Sequence, residues 1–120
     1  MFMKRDINLM RQIMLDLEAL PYIHNNISEI WLDRNFDDYQ RIALHVKLLA
    51  DSNYLELGNC LLGYDFENWY INRITNDGYA FLEYVRSDTI WNALRPKLTA
   101  LGSLALRIVE PLATDIIRAL

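Results

Sequence analysis

The sequence predicts an α+β protein, mainly α, with the element order of an abbreviated winged helix-turn-helix, a β-hairpin wing and extra C-terminal helices. Three observations carry this. An amphipathic helical pattern, "RIALHVKLLADS" (Arg41–Ser52), runs directly into the strand-like "YLELG" (Tyr54–Gly58). A returning strand, "WYINRI" (Trp69–Ile74), follows a stretch in which Gly63 can turn the chain. Beyond it, apolar residues recur at helical spacing, punctuated by capping and breaking residues instead of strand signals.

The first helix is "DINLMRQIMLDLEAL" (Asp6–Leu20). Ile7, Met10, Ile13, Met14 and Leu17 share one face, and Arg11, Gln12 and Asp16 point away. Asp6 is its N-cap and Pro21 follows its end. Its methionines fit core packing better than a soft binding surface. "ISEIWL" (Ile27–Leu32) alternates and reads as a short edge strand. "DRNFDD" supplies turn and helix-start residues, and the next helix covers Asp37 to Ser52 with Ile42, Val46 and Leu49 as its core stripe. The space between Leu32 and Asp37 is too short for the helix that usually precedes a recognition helix; hence "abbreviated". Thr75 is the N-cap of "NDGYAFLEYVRS", and Phe81 and Trp91 belong to the core. Ser87 or Asp88 opens "TIWNALRPKLTAL", which Pro96 kinks or restarts and Gly102 stops. Ser103 caps the last helix, which contains Pro111. Residues 1–87 form the winged-helix domain. Residues 88–120 form a C-terminal helical extension, packed on it or dimerising, within a single structural unit.

A chain of 120 residues, 52% hydrophobic and 23% charged, is one ordinary globular domain. One cysteine, Cys60, excludes an intrachain disulfide and a cysteine-based zinc cluster. It fits a reducing compartment, so a cytoplasmic location is expected. "MFMKRDINLMRQ" lacks the apolar core of a signal peptide, and no apolar run approaches the roughly 18 residues of a membrane span. The net charge is −4, and it hides no basic half: residues 1–53 and residues 54–120 each hold 6 Lys/Arg and 8 Asp/Glu. Neither half carries the electrostatic footprint of a nucleic-acid binder.

Three segments, "MKRDINLMRQIMLDLE" (Met3–Glu18), "RIALHVKLLADSNYL" (Arg41–Leu55) and "ITNDGYAFLEYVRSDTIWNAL" (Ile74–Leu94), resemble a family of small proteins of unknown function from phages, prophages and other mobile elements of bacteria. The shared pattern is a Met-Lys-Arg-Asp start, a Tyr-His-hydrophobic-Lys-Leu-Leu helix, a Thr-x-x-Gly-x-x-Phe-Leu helix and an Arg-x-x-x-x-Trp segment. It is met here by Met3–Asp6, His45–Leu49, Thr75–Leu82 and Arg86–Trp91. Leu44 stands where a tyrosine is common, and Asn53 where a glycine is usual. The resemblance implies a winged-helix fold and a phage origin, and it supplies no catalytic residues.

The residues themselves nominate no chemistry. His24 and His45 are the two histidines, and neither has a metal-ligand partner at the right spacing. His45, on the flank of the core stripe, reads as a satisfied structural histidine. Cys60 has no nominated base. Asp37 and Asp38 sit where a helix N-terminus favours negative charge. Four glycines make no phosphate loop. No catalytic residue, metal or cofactor is expected.

The choice is then between DNA and protein. With Ile42, Val46 and Leu49 inward, the outward arc holds Asp37, Gln40, Leu44, Lys47 and Asp51, with Arg41 and Leu48 on its shoulder. A DNA-reading helix needs cations and amides there. Over Asp37–Ser52, two cations face three acids, and over Tyr54–Ile74 Arg73 faces Glu56, Asp65 and Glu67. Phosphate neutralisation, the base of DNA affinity, is poorly supplied. The favoured expectation is a protein-binding face made of Leu44 and Leu48 with Leu61, Leu62, Tyr64 and Phe66 of the wing tip. The partner would be a host or defence factor. The alternative is a dimeric DNA-binding regulator using Gln40, Arg41 and Lys47 in the groove and Arg34 or Arg73 on phosphates. In the last helix Leu104, Ile108, Leu112 and Ile116 form an apolar stripe that Leu106, Val109, Ala113 and Ile117 widen, expected to make a homodimer contact or to fold back on the core.

Overall fold

A computed structural model describes residues 5–20, 25–26, 39–58 and 70–120. The order is α1 (Ile7–Ala19), β1 (Asn25–Asn26), α2 (Tyr39–Asp51), β2 (Leu55–Leu57), β3 (Tyr70–Ile74), α3 (Asn76–Val85), α4 (Asp88–Leu101) and α5 (Leu106–Ala119). The protein is mainly helical, with an antiparallel sheet in the order β1-β3-β2. The expected strand Ile27–Leu32 and the tip of the expected wing, including Cys60 and Gly63, lie outside the described residues, as does His24.

α1 starts as its sequence dictates. The Asp6 carboxylate accepts the amides of Asn8 and Leu9 at 3.0 and 3.2 Å, satisfying two of the donors a helix start leaves free. Met10, Ile13, Met14 and Leu17 are buried, so the methionines are core. Arg11 departs from the helical-wheel reading. It does not point to solvent. Its Nε donates to Val85 O at 2.7 Å, its Nη2 to Arg86 O at 3.1 Å and to Asp88 at 2.8 Å, and its guanidinium lies over the Trp91 ring. A long side chain at the margin of an apolar face can lay its stem on that face and carry its head to the carbonyls ending another helix.

The junction of α2, the sheet and α3 is built on close approach. α2 ends through Asn53, which has φ 65. Asparagine tolerates this left-handed conformation better than other non-glycine residues. The resemblance puts a glycine at this position, and the positive φ is the physical reason. In the β2–β3 ladder Glu56 pairs with Arg73 but Leu57 with Ile71, so Asn72 is the extra residue of a bulge. Thr75 Oγ1 donates to Asn53 O at 2.5 Å and accepts the Gly78 amide at 3.0 Å, joining α2's end to α3's start. A Cβ on Gly78 would stand 2.3 Å from Tyr54 O and 2.7 Å from Ile74 Cγ2. Only glycine lets α3 cross here. Tyr54 is fully buried, stacks on Phe81 with centroids 4.6 Å apart, and donates its hydroxyl to Leu104 O. Burial raises its pKa well above the ordinary tyrosine value.

Ser87 caps α4 through the Ile90 amide. α4 continues through Pro96 without a break and ends at Gly102, φ 67. Ser103 does not cap α5. Its hydroxyl accepts the Ala105 amide at 3.1 Å, and the helix begins at Leu106 with no side-chain cap. The reason is Leu104, 2% exposed, whose side chain is seated in the core while its carbonyl holds Tyr54. Residues 103–105 therefore act as a linker. One buried cluster draws on all five helices together with β2 and β3, and Phe81 and Trp91 are in it.

Candidate functional site

The outer face of α2 is the candidate site, because its inner face is fully used. Ile42, Ala43, His45, Val46 and Leu49 are buried. Arg41, Leu44 and Leu48 are half-buried, and Lys47 and Asp51 are exposed. This matches the predicted phase of the helix. Leu48 packs partly against the core. α5 packs mainly on α3 and α4, whereas α2 packs mainly on α1 and β2.

Each cation that the structure describes on α2 and β3 is held by a carboxylate. Arg41 bonds to Asp6. Lys47 sits 3.3 Å from Asp51, one helical turn on. Arg73 sits 3.0 Å from Glu56, its cross-strand partner in the register above. Exposed pairs of this kind add only about 0–1 kcal/mol to stability. Their effect on recognition is larger, since a phosphate approaching any of these cations meets a competing anion. Among the described residues, Arg95 and Lys97 on α4 and Arg107 and Arg118 on α5 enter no ion pair. Arg5 likewise has no carboxylate partner and bonds to Gly102 O, so these unpaired cations lie on α4, α5 and the segment before α1.

His45 lies behind this face. Its Nε2 accepts the Asp6 amide at 2.8 Å, and its Nδ1 faces Arg41 O at 2.6 Å. An amide N–H can only donate, so the neutral ring carries its proton on Nδ1 and both nitrogens are satisfied. Burial lowers its pKa from the ordinary 6.5, and the neighbouring Arg41 and Arg5 push the same way. The bond to Arg41 O and the Asp6 charge oppose. His45 is structural, as expected.

The structure brings Arg41, Leu44, Lys47 and Leu48 onto one helix and Arg73 onto the neighbouring sheet. Arg34, the side chain of Gln40, Asp37, Asp38 and the wing-tip residues Leu61, Leu62, Tyr64 and Phe66 lie outside the described residues. In the last helix the innermost residues are Val109 and Ala113, both 0% exposed, which the sequence places on the widened flank of the stripe and not at its centre. Leu104 precedes the helix and is core. Ile108, Leu112 and Ile116 are half-buried against that core. Small side chains take the centre because α5 runs close over α3 and α4. The large apolar side chains left exposed on or just beyond α5 are Ile117 and Leu120. The sequence reading missed Asp6 as the partner of Arg41; 35 positions separate them, and no local pattern signals the pair.

Among the described residues no group of three or more His, Cys, Asp or Glu could hold a metal ion, and no helix is long and apolar enough to cross a membrane. No curated protein and no solved structure matches the chain. A family model described as "Hypothetical protein (DUF2513)" matches residues 4–104, from the residue before Arg5 to the buried leucine that receives the Tyr54 hydroxyl. The chain belongs to the DUF2513 family of hypothetical proteins.

Proposed function

We propose that the chain is a non-enzymatic interaction protein of winged-helix type and phage or prophage origin, which meets a host or phage protein through the outer face of α2. The helix–strand–helix–strand–strand order with β3 central supports the winged-helix reading. The phage origin rests on the resemblance of the Met3–Asp6, His45–Leu49, Thr75–Leu82 and Arg86–Trp91 motifs. The observation that carries the choice of partner is the neutralisation of Arg41, Lys47 and Arg73 by Asp6, Asp51 and Glu56. Half-buried Leu44 and Leu48 lie among these pairs. Such a face, apolar at its centre with charges already matched, suits another protein better than a polyanion.

The second reading, a DNA-binding regulator, is favoured by one feature: α2 stands directly before the antiparallel strands, where a recognition helix stands. A titration against duplex DNA across 50–200 mM salt separates the two. The protein-binding reading expects weak binding with a shallow salt slope, since each phosphate neutralised adds about −0.9 to the slope of log K on log salt. Submicromolar binding to one operator, abolished by Arg41→Ala with Lys47→Ala, would establish the regulator instead. A photoreactive residue at position 44 is expected to crosslink one discrete protein in the host cell, and the same residue at position 93 on α4 is not.

A further inference from the structure

We propose that His45 is a proton-operated latch that holds Asp6, at the entry to α1, against α2, and that its protonation uncovers Arg41. This goes beyond the reading of the α2 face and stands without it.

Asp6 is the bolt. Its amide donates to His45 Nε2, one carboxylate oxygen caps α1 through Asn8 and Leu9, and the other holds Arg41. Arg5, the residue before it, bonds to Gly102 O at the α4–α5 turn. The His45 ring is 0% exposed. With its proton on Nδ1 and committed to Arg41 O, a second proton can go only to Nε2. That nitrogen would then present N–H to the N–H of Asp6, donor against donor at a separation that is now 2.8 Å.

The surrounding charges do not rescue the protonated ring. Arg41, one turn back on α2, and Arg5, from the segment leading into α1, are both cations beside it. The anion from α1's side is the Asp6 carboxylate, already engaged by Arg41 and by two helix amides. Relief comes when Asp6 withdraws. The backbone ahead of α1 then leaves α2, and Arg41 loses its carboxylate. The exposed side of α2 gains one free cation at low pH that it does not have at neutral pH.

The direction follows from linkage. A histidine whose pKa is lower in the closed form than its unperturbed 6.5 supports the closed form fully above pH 6.5. That support is lost as the pH falls from 6.5 toward the lowered value. Across that window the opening equilibrium rises about tenfold per pH unit.

The test is nitrogen NMR of the full chain between pH 8 and 5, with hydrogen exchange of the Asp6 amide followed in the same samples and corrected for intrinsic rates. The latch expects a neutral ring protonated on Nδ1 at pH 7.5. It expects an Asp6 opening constant that grows about tenfold per unit below 6.5 while the Leu98 amide in α4 stays protected. His45→Gln keeps one donor and one acceptor but takes no proton, and its Asp6 opening is expected to be flat with pH. The wild-type series decides alone if that variant does not fold. A neutral ring protonated on Nε2, or an Asp6 amide that opens equally at pH 7.5 and 5, overturns the proposal. So does a rise shared equally by Leu98, which would mark general unfolding.

Discussion

The α2–sheet–α3 junction and helix α4 are made of similar residues and are built in opposite ways. At the junction, Tyr54, Ile74, Thr75, Gly78, Phe81 and Leu82 are all buried, and hydroxyls, amides and rings meet within van der Waals or hydrogen-bond distance. α4 has 14 residues, of which Trp91, Leu94 and Leu98 are the buried ones. It rests on the core by one narrow stripe, and the rest of its surface faces solvent. The difference shows where this sequence is constrained: at the crossing of backbones, more than along the length of helices.

That comparison can be broken at its strongest point first. Phe81→Ala removes the ring that stacks on Tyr54 in a fully buried site. It is expected to lower stability by about 3–5 kcal/mol, measured by urea unfolding. A loss under about 1 kcal/mol would mean the junction tolerates a cavity and the contrast with α4 is false. Thr75→Ala is the next test. It removes the α3 cap and leaves Asn53 O without its hydroxyl donor, for an expected loss of about 1–2 kcal/mol by the same measurement. The smallest effect belongs to α4. Ala93→Lys and Ala100→Lys put long side chains on exposed positions and are expected to move stability by no more than about 0.5 kcal/mol. A melting point that falls steeply for either one would reveal a contact on α4's outer surface and sharpen where a partner sits.

How much of this was legible in the sequence depends on distance along the chain. Local chemistry was readable. Asp6, Thr75 and Ser87 cap helices, Gly102 stops one, and the inward stripes of α1 and α2 follow the helical period. Contacts made across the chain were not. Arg11 projects to the polar side of α1 on a helical wheel, yet its head is drawn to the open carbonyls at the end of α3. Ser103 has the right residue type for a cap, but the burial of Leu104 displaces the helix start beyond its reach. In the last helix the deepest residues, Val109 and Ala113, come from the flank of the predicted stripe, because which apolar residue lies deepest is set by the approach of α3 and α4. For the candidate site, the described part of the outward arc of α2, Leu44, Lys47 and Asp51, lies off the core as expected, and the arc's net acidity was visible in the composition. The pairing of Arg41 with Asp6 was not, and that pairing changes what Arg41 offers a partner. The motifs behind the family resemblance are explained by the fold: His45, Thr75, Gly78, Phe81 and Trp91 each make a buried structural contact. They describe how such a chain packs and leave its partner to other residues.

The ties of α1 have a consequence for synthesis. Arg11 waits for Val85 and Arg86, Asn8 for the Trp91 indole, Glu18 for Arg86, and Arg5 for Gly102. α1, made before the other described helices, is thus among the last of them to find its neighbours. Until about residue 86 has been made, its methionine face has only α2 and the sheet to rest on, and the carbonyls that Arg11 binds do not yet exist. Long-range closure of this kind slows folding relative to a chain whose helices pack in order of appearance. A nascent chain arrested before α4 is expected to leave the apolar side of α1 open to chaperones, and one arrested after the α4–α5 turn to close it.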